Sequence, residues 1–373
     1  MRGALTVISG EPVNIPVTKP FLPPYAEYEA LLKGVWGRGW LTNNGPLVNE
    51  LELKLKDALG VDHLLFLANG TVALQIAIRA LDLKGEIITT PFSYVATTSS
   101  IVWEHCNPVM VDIDRETLNI DARKIESAIT ERTTAILATH VFGNPCDVAT
   151  IEAIARQHEL HVIYDAAHAF GTMHRGRSLL AFGDIATCSF HATKLFHTVE
   201  GGAVVAQSPA VLKALAMLRN FGHTSLTEFG GIGINGKNSE FHAAMGLANL
   251  PYVNDILEKR KAIYGKYKSL LSPLPVAFQR IQDDTDYNHA YFPIIFDSEA
   301  TLIRVSEQLA LSNVYPRRYF YPSLSNLPYV NDQSSPISED IASRILCLPM
   351  YHVLSNEEID MICRVIKRTV SYE

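Results

Sequence analysis

TAILATHVFGNPCDVATIEAIARQHELHVIYDAA, residues 134–167, decides the fold. Its first ten residues, 134–143, form a nearly unbroken apolar run, as in a strand buried on both faces. VATIEAIARQHE (148–159) repeats its apolar residues at helical spacing. LHVIYDAA (160–167) is a second apolar run that ends in an acid. Strand, helix, strand is the unit from which parallel sheets are built.

The same alternation extends in both directions. HLLFLANG (63–70), EIITTPF (86–92), NPVMVDID (107–114), ATCSFHA (186–192) and GGAVVAQ (201–207) read as further strands, most of them separated by helical patterns such as TVALQIAIRAL (71–81). PLVNELELKLKDALG (46–60) reads as a helix. Val48, Leu51, Leu55 and Leu59 share one face, Pro46 starts it and Gly60 stops it. The expected fold is α/β, a seven-stranded, mostly parallel sheet with helices on both faces, followed by a smaller C-terminal α+β domain. The large domain is placed at residues 1–250 and the small one at 251–373. The first 45 residues, rich in Pro and Gly, read as an irregular arm. Residues 240–271 read as a long helical segment bridging the domains, kinked at Pro251. AYFPIIF (290–296) reads as a strand of the small domain, and 299–312 and 356–370 as its helices.

Bulk properties narrow the function. The chain has 373 residues, 47% hydrophobic and 19% charged, with a net charge of −7. Nucleic acid as the main partner calls for a basic surface, so that class is set aside. The five cysteines, at 106, 146, 188, 347 and 363, form no CxxC pair. This argues against a zinc ribbon or a disulfide framework and for reduced, cytosolic thiols. No continuous apolar signal core opens the chain and no run of about 18 apolar residues occurs, so a cytoplasmic protein without a membrane partner is expected. Gly231, Gly233 and Gly236 match GxGxxG, but no strand precedes them and no apolar helix follows, so a dinucleotide loop is discounted. His191 and His197 flank Lys194 without metal-ligand spacing, and no catalytic metal is expected.

In parallel α/β sheets ligands bind at the carboxyl ends of the strands. The polar residues there form an inventory. Asn69-Gly70-Thr71 leads into an apolar helix, which is either a plain N-cap or a phosphate seat. Tyr94 follows the second strand as an aromatic at its rim. His140 ends the fourth strand. Asp165 ends the fifth, with His168 three residues on. Ser189 and Lys194 finish the sixth, in SFHATKLFHTVEGGAVV (189–205). A buried acid needs a compensating partner. A phosphate seat, an aromatic plate, an acid and a lysine are together what pyridoxal 5′-phosphate requires: a helix N-terminus for its phosphate, a stacking face, a carboxylate for its ring nitrogen and an amine for its aldehyde. Glu200-Gly201-Gly202 lets the chain turn sharply into the next strand.

GWLTNNGPLVNELE (39–52), ANGTVAL, DAAHAFG, SFHATK, EGGAVV and GINGKNSE (233–240) occur in the order that marks the DegT-type sugar-nucleotide aminotransferases, and the chain resembles that family over most of its length. The resemblance implies that Lys194 links covalently to the cofactor's aldehyde. It also implies that Asp165 pairs with the ring nitrogen and that His168 lies near the ring hydroxyl. Gly70, Thr71 and Ser189 would hold the phosphate. Tyr94 would stack on the ring, although the segment before it is one residue shorter than usual, which leaves Phe92 as the other aromatic for that role. Asn235 would reach the phosphate of a neighbouring subunit, so a homodimer with shared sites is implied. The donor would be glutamate and the acceptor a nucleotide-linked 4-keto-6-deoxy hexose.

In RRYFYP (317–322), Arg317, Arg318, Tyr319 and Tyr321 are candidates for the sugar-nucleotide cleft. Two guanidiniums there suit a diphosphate, or equally a solvated turn. YFYPSL is unlike the HYP-and-HLQ segment of relatives acting at carbon 3, which favours a product resembling dTDP-4-amino-4,6-dideoxyglucose. The alternatives are amination at carbon 3, a non-transaminating enzyme with the same cofactor, such as a sugar dehydratase, or a non-catalytic binding protein on the same fold. Dehydratase relatives carry histidine where this chain has Lys194.

Overall fold

The computed structural model describes residues 14–330 and 333–371. All seven expected strands are present: β1 (Leu64–Leu67), β2 (Glu86–Thr89), β3 (Asn107–Met110), β4 (Thr133–Thr139), β5 (His161–Asp165), β6 (Ile185–Ser189) and β7 (Gly202–Ala206). They form one sheet in the order β1-β7-β6-β5-β4-β2-β3. The pairings among β3, β2, β4, β5 and β6 are parallel, whereas β7 runs antiparallel to both β1 and β6.

The period of two along each strand loads both faces. Leu64 and Phe66 of β1 join one core while Leu65 and Leu67 join the other. On the first face lie α2 (Pro46–Leu59), α5 (Val148–Gln157) and α7 (Glu240–Asn249), and on the second α3 (Gly70–Ala80) and α6 (Pro209–Arg219). Gly60 takes φ +61 and closes α2 as a left-handed cap.

The N-terminal arm departs from expectation. Tyr25–Arg38 is a helix, α1. Gly34 and Gly37 lower its local propensity, which hides it in the sequence. Its apolar face nevertheless has helical spacing: Val35 is buried, and Tyr28, Leu31 and Leu32 pack on the first core.

The bridge breaks at its proline. After α7 comes one 3-10 turn, Leu250–Tyr252, and then α8 (Val253–Leu271). A third core joins Ile263, Tyr267 and Leu271 of α8 to a three-stranded sheet of β8 (Ala277–Phe278), β9 (Phe292–Ile295) and β10 (Ile345–Leu348). Helices α9 (Glu299–Ala310) and α10 (Asn356–Ser371) complete it. Ile15 belongs to the same core, because Ile15–Pro16 pairs in parallel with Val314–Tyr315. All five cysteines are buried and unpaired. Among the described residues no helix is long and apolar enough to cross a membrane.

Candidate active site

One row of pairing crosses β4, β5 and β6 near their carboxyl ends: Thr139 pairs with Asp165, and Asp165 with Thr187. All three side chains open onto a cavity of about 580 Å³, within the range of ligand sites. The cavity brings together Gly70, Thr71, Tyr94, Asp165, His168, Ser189, Lys194, Arg317 and Tyr319 of the residues expected from sequence.

Its phosphate end is made by the start of α3. Asn69 caps that helix, its Oδ1 accepting from the Val72 N–H at 2.8 Å. The N–H groups of Gly70 and Thr71 are not used by that cap. Two glycines allow the strand ends to close on this turn. A Cβ on Gly70 would sit 3.0 Å from the Ser189 Cβ, and one on Gly202 would sit 2.5 Å from the Asn69 carbonyl carbon. Tyr94 is the residue before α4 (Val95–Trp103), 56% exposed and on the cavity wall. Phe92 is fully buried and packs edge-on against Phe142 and Phe320, so of the two aromatics only Tyr94 faces the cavity.

Asp165 accepts from Thr97 Oγ1 at 2.7 Å and from the Ala167 N–H at 3.1 Å. Burial raises its carboxyl above the usual range, and those two donors and the Lys194 charge oppose the rise. Lys194 follows a tight turn in which its N–H donates to the His191 carbonyl at 2.9 Å. Burial depresses its amine below the usual lysine value, against the pull of Tyr319, Asp165, Cys188 and Tyr94. His168 lies among Phe142, Tyr291 and Phe320. Burial and the nearby Lys194 charge hold it well below the usual histidine value, so it is neutral.

Pyridoxal 5′-phosphate suits this donor set. The Lys194 amine makes no ion pair or hydrogen bond among the described residues, which leaves it available to a carbonyl carbon. His168 Nδ1 is buried without a partner. Asp165 keeps lone pairs free for an N–H. The α3 N-terminus supplies free N–H groups for a dianion.

Other expectations need correction. His140 directly follows β4 rather than ending it, and it turns away from the cavity. Its ring stacks on Tyr164 at 4.4 Å, its Nδ1 accepts from the Cys146 N–H, and burial lowers its pKa to about 3. Strand alternation gives the cavity to Thr139 instead. Arg318 and Tyr321 lie outside the cavity. The Arg318 guanidinium donates to Glu299 Oε1 at 2.6 Å and to the Ser343 carbonyl at 2.7 Å, and it sits 3.5 Å over the Tyr321 ring. Its neighbour Arg317 faces the cavity, with its guanidinium 4.9 Å over Tyr319 and no ion pair among the described residues. Asn235 is exposed and does not line this chain's cavity. Lys237 is held by Asn220 Oδ1 at 2.8 Å and lies over Phe221.

Sequence reading missed Ser93, Thr97, Thr139, Thr187, Tyr291 and Phe320. For Thr139 a signal existed: a hydroxyl at the last position of an apolar strand. Tyr291 and Phe320 reach the cavity from the C-terminal part by tertiary packing alone.

Known proteins with the same features are consistent with this geometry. Residues 25–367 match the model of the DegT/DnrJ/EryC1/StrS aminotransferase family. The chain is 42% identical to the dTDP-4-amino-4,6-dideoxy-D-glucose transaminase of Shigella dysenteriae, over 94% of this chain and 98% of that one. It is 40% identical to the enzyme of the same name from Escherichia coli, over 95% and 98%. The crystal structure of DesI in the presence of its TDP-sugar product superposes with a TM-score of 0.91 at 31% identity, covering 96% of this chain and 93% of that one.

Proposed function

This chain belongs to the DegT/DnrJ/EryC1/StrS aminotransferase family and is a pyridoxal-phosphate-dependent transaminase, and from that premise we propose that it carries an amino group from L-glutamate to carbon 4 of a nucleotide-linked 4-keto-6-deoxy hexose, giving dTDP-4-amino-4,6-dideoxyglucose. The observation that carries the chemistry is the meeting of Lys194, Asp165 and the α3 N-terminus in one cavity. What supports the sugar is the likeness to two transaminases of that name along nearly the whole chain.

When bound, pyridoxal phosphate supplies the electron sink that makes the substrate's α-proton acidic. Lys194 Nζ would hold the cofactor's aldehyde, and its amine, at the cavity wall, is placed to move a proton as base and acid. Burial lowers its pKa below the usual lysine value, which favours the neutral amine that this work needs. Asp165 would keep a proton on the ring nitrogen, and neutral His168 would serve the ring hydroxyl. The N–H groups of Gly70 and Thr71, with the Ser189 hydroxyl, would hold the phosphate, and Tyr94 would stack on the ring. Arg317 and Tyr319 meet the anionic substrate.

A homodimer with shared sites is part of the same reading. Supporting it, the 221–234 loop exposes Phe229, Leu226 and Ile232, the last two at 99% and 91%, beside the exposed Asn235. The partner's Asn235 would then complete the phosphate seat. Two working parts that divide near residue 250, and a cytoplasmic location in keeping with five unpaired thiols, complete the proposal.

The test is direct. Wild-type protein loaded with pyridoxal phosphate shows visible absorbance that borohydride bleaches, and Lys194→Ala abolishes both that absorbance and turnover. With glutamate and dTDP-4-keto-6-deoxyglucose, NMR finds the new amine on carbon 4; an amine on carbon 3, or no product, refutes the assignment.

A further inference from the structure

Behind the cavity wall, four buried side chains form one directed line. Thr139 Oγ1 donates to Ser93 Oγ at 2.9 Å, Ser93 Oγ lies 2.7 Å from Thr97 Oγ1, and Thr97 Oγ1 donates to Asp165 Oδ2 at 2.7 Å. A hydroxyl carries a single hydrogen, and an ionised carboxylate only accepts. Thr97 therefore gives its hydrogen to Asp165 and must accept from Ser93, which in turn accepts from Thr139. The carboxylate end fixes every proton in the line.

The line joins three parts of the fold. Thr139 ends β4, Ser93 lies in the loop after β2, and Thr97 is in the first turn of α4. Tyr94 sits between Ser93 and Thr97, so the segment that presents the aromatic plate also grips the acid. Ser93, Thr139 and Asp165 line the cavity, whereas Thr97 does not. Thr97 thus acts only through Asp165.

We propose that Thr97, held in place by Ser93 and Thr139, is the positioning residue for Asp165: it occupies Oδ2 and keeps the carboxylate ionised and aimed, leaving lone pairs for the ring nitrogen of the cofactor. This rests on the reading that Asp165 serves that nitrogen. A neutral donor suits the task better than a cation would. An arginine or lysine in hydrogen-bond contact would neutralise the acid, and the acid could no longer hold a proton on the ring. The titratable groups facing Asp165 are Lys194, whose charge favours its ionised form, and Cys188, whose thiol burial pushes up to about 12 and so keeps uncharged.

Thr97→Val keeps the shape and removes the hydrogen bond. The expected result is a kcat roughly tenfold to a hundredfold lower, the usual worth of one hydrogen bond to a charged group, with little change in KM. The apoprotein should bind pyridoxal phosphate more weakly, read by equilibrium dialysis. Thr97→Ser should restore both. Unfolding of the apoprotein supplies a readout that simple packing cannot imitate. The Thr97 hydrogen bond lowers the Asp165 pKa, so its stabilisation is present where the carboxylate is ionised and is lost as pH falls. Thr97→Val should therefore destabilise the apoprotein more at about pH 8 than at about pH 5. Full kcat and cofactor affinity in Thr97→Val, or an equal destabilisation at both pH values, would overturn the proposal. If that variant does not fold, Ser93→Ala and Thr139→Val keep the Thr97 hydroxyl but break its support. A smaller loss of the same sign upholds the proposal, and no loss overturns it. Asp165→Asn separates the two levels. If it retains turnover and cofactor, the underlying reading fails; if it is inactive while Thr97→Val behaves as wild type, only this inference fails.

Discussion

Two walls face each other across the cavity, and they are built differently. The strand-end wall takes its geometry from the sheet: one row of pairing sets Thr139, Asp165 and Thr187 side by side. The opposite wall is the 317–321 segment, held by backbone hydrogen bonds between Arg317 and Cys347 at 3.1 and 2.8 Å and by side-chain packing. On the first wall each residue's direction follows from strand alternation. On the second, neighbours in sequence part company, with Arg317 turned to the cavity and Arg318 to Glu299. A regular element transmits its period to the site, whereas an irregular segment must be fixed residue by residue.

The largest effect expected is on the strand-end wall. Asp165→Asn preserves shape and loses the charge. Removing one partner of a buried charge pair costs roughly 3–5 kcal/mol. The rate of the glutamate half-reaction should fall by about a hundredfold or more, measured by single-turnover absorbance. A loss under threefold would mean that the charge at this position is idle.

Next comes Arg317→Ala on the facing wall. Its guanidinium is free of ion pairs among the described residues and open to the cavity, so little structure depends on it. The KM for the sugar nucleotide should rise by roughly tenfold to a hundredfold, the worth of charge-assisted hydrogen bonds, while the melting temperature stays unchanged. An unchanged KM would place the anionic part of the substrate elsewhere.

The same contrast explains what the sequence disclosed. All seven strands, the Asp165 and Lys194 positions and the α3 start were legible, because apolar periodicity fixes strands and strands fix their own ends. His140 was legible in kind but not in direction, and Thr139 beside it went unread, since a shift of one residue reverses the face. Helix α1 was hidden by two glycines, and its stability comes from burying Val35 rather than from propensity. Tyr291 and Phe320 were invisible because only the docking of the C-terminal part against β4 and β5 brings them to the cavity.

A middle-sized effect tests how closely the first wall is packed. Gly202 meets the Asn69 carbonyl and the Gly70 nitrogen, so an added methyl would press on backbone and could not be relieved by a rotamer change. Gly202→Ala should cost about 1–3 kcal/mol of stability, the usual range for overpacking, and should weaken cofactor binding by displacing the α3 N-terminus. Denaturant unfolding and equilibrium dialysis check the two parts. A destabilised variant with native cofactor affinity would detach Gly202 from the phosphate seat.

The smallest effect belongs to Arg318, and its value lies in the contrast with its neighbour. The residue is tied to Glu299, the Ser343 carbonyl and the Tyr321 ring, all outside the cavity. Its side chain keeps 23% exposure and Glu299 keeps 43%, so solvent screens much of the ion pair. Arg318→Ala should then lower stability by only about 1 kcal/mol, chiefly through the lost hydrogen bond to a carbonyl and the lost stacking. The KM should stay within about twofold of wild type, because Arg317 is anchored to Cys347 through its own backbone and does not lean on the Arg318 side chain. Unfolding and steady-state kinetics on the two alanine variants together form the test. Opposite patterns, KM without stability for Arg317 and stability without KM for Arg318, would show that two adjacent arginines on one irregular segment divide binding from structure. A KM effect of equal size in both would mean that the 317–321 segment moves as a unit.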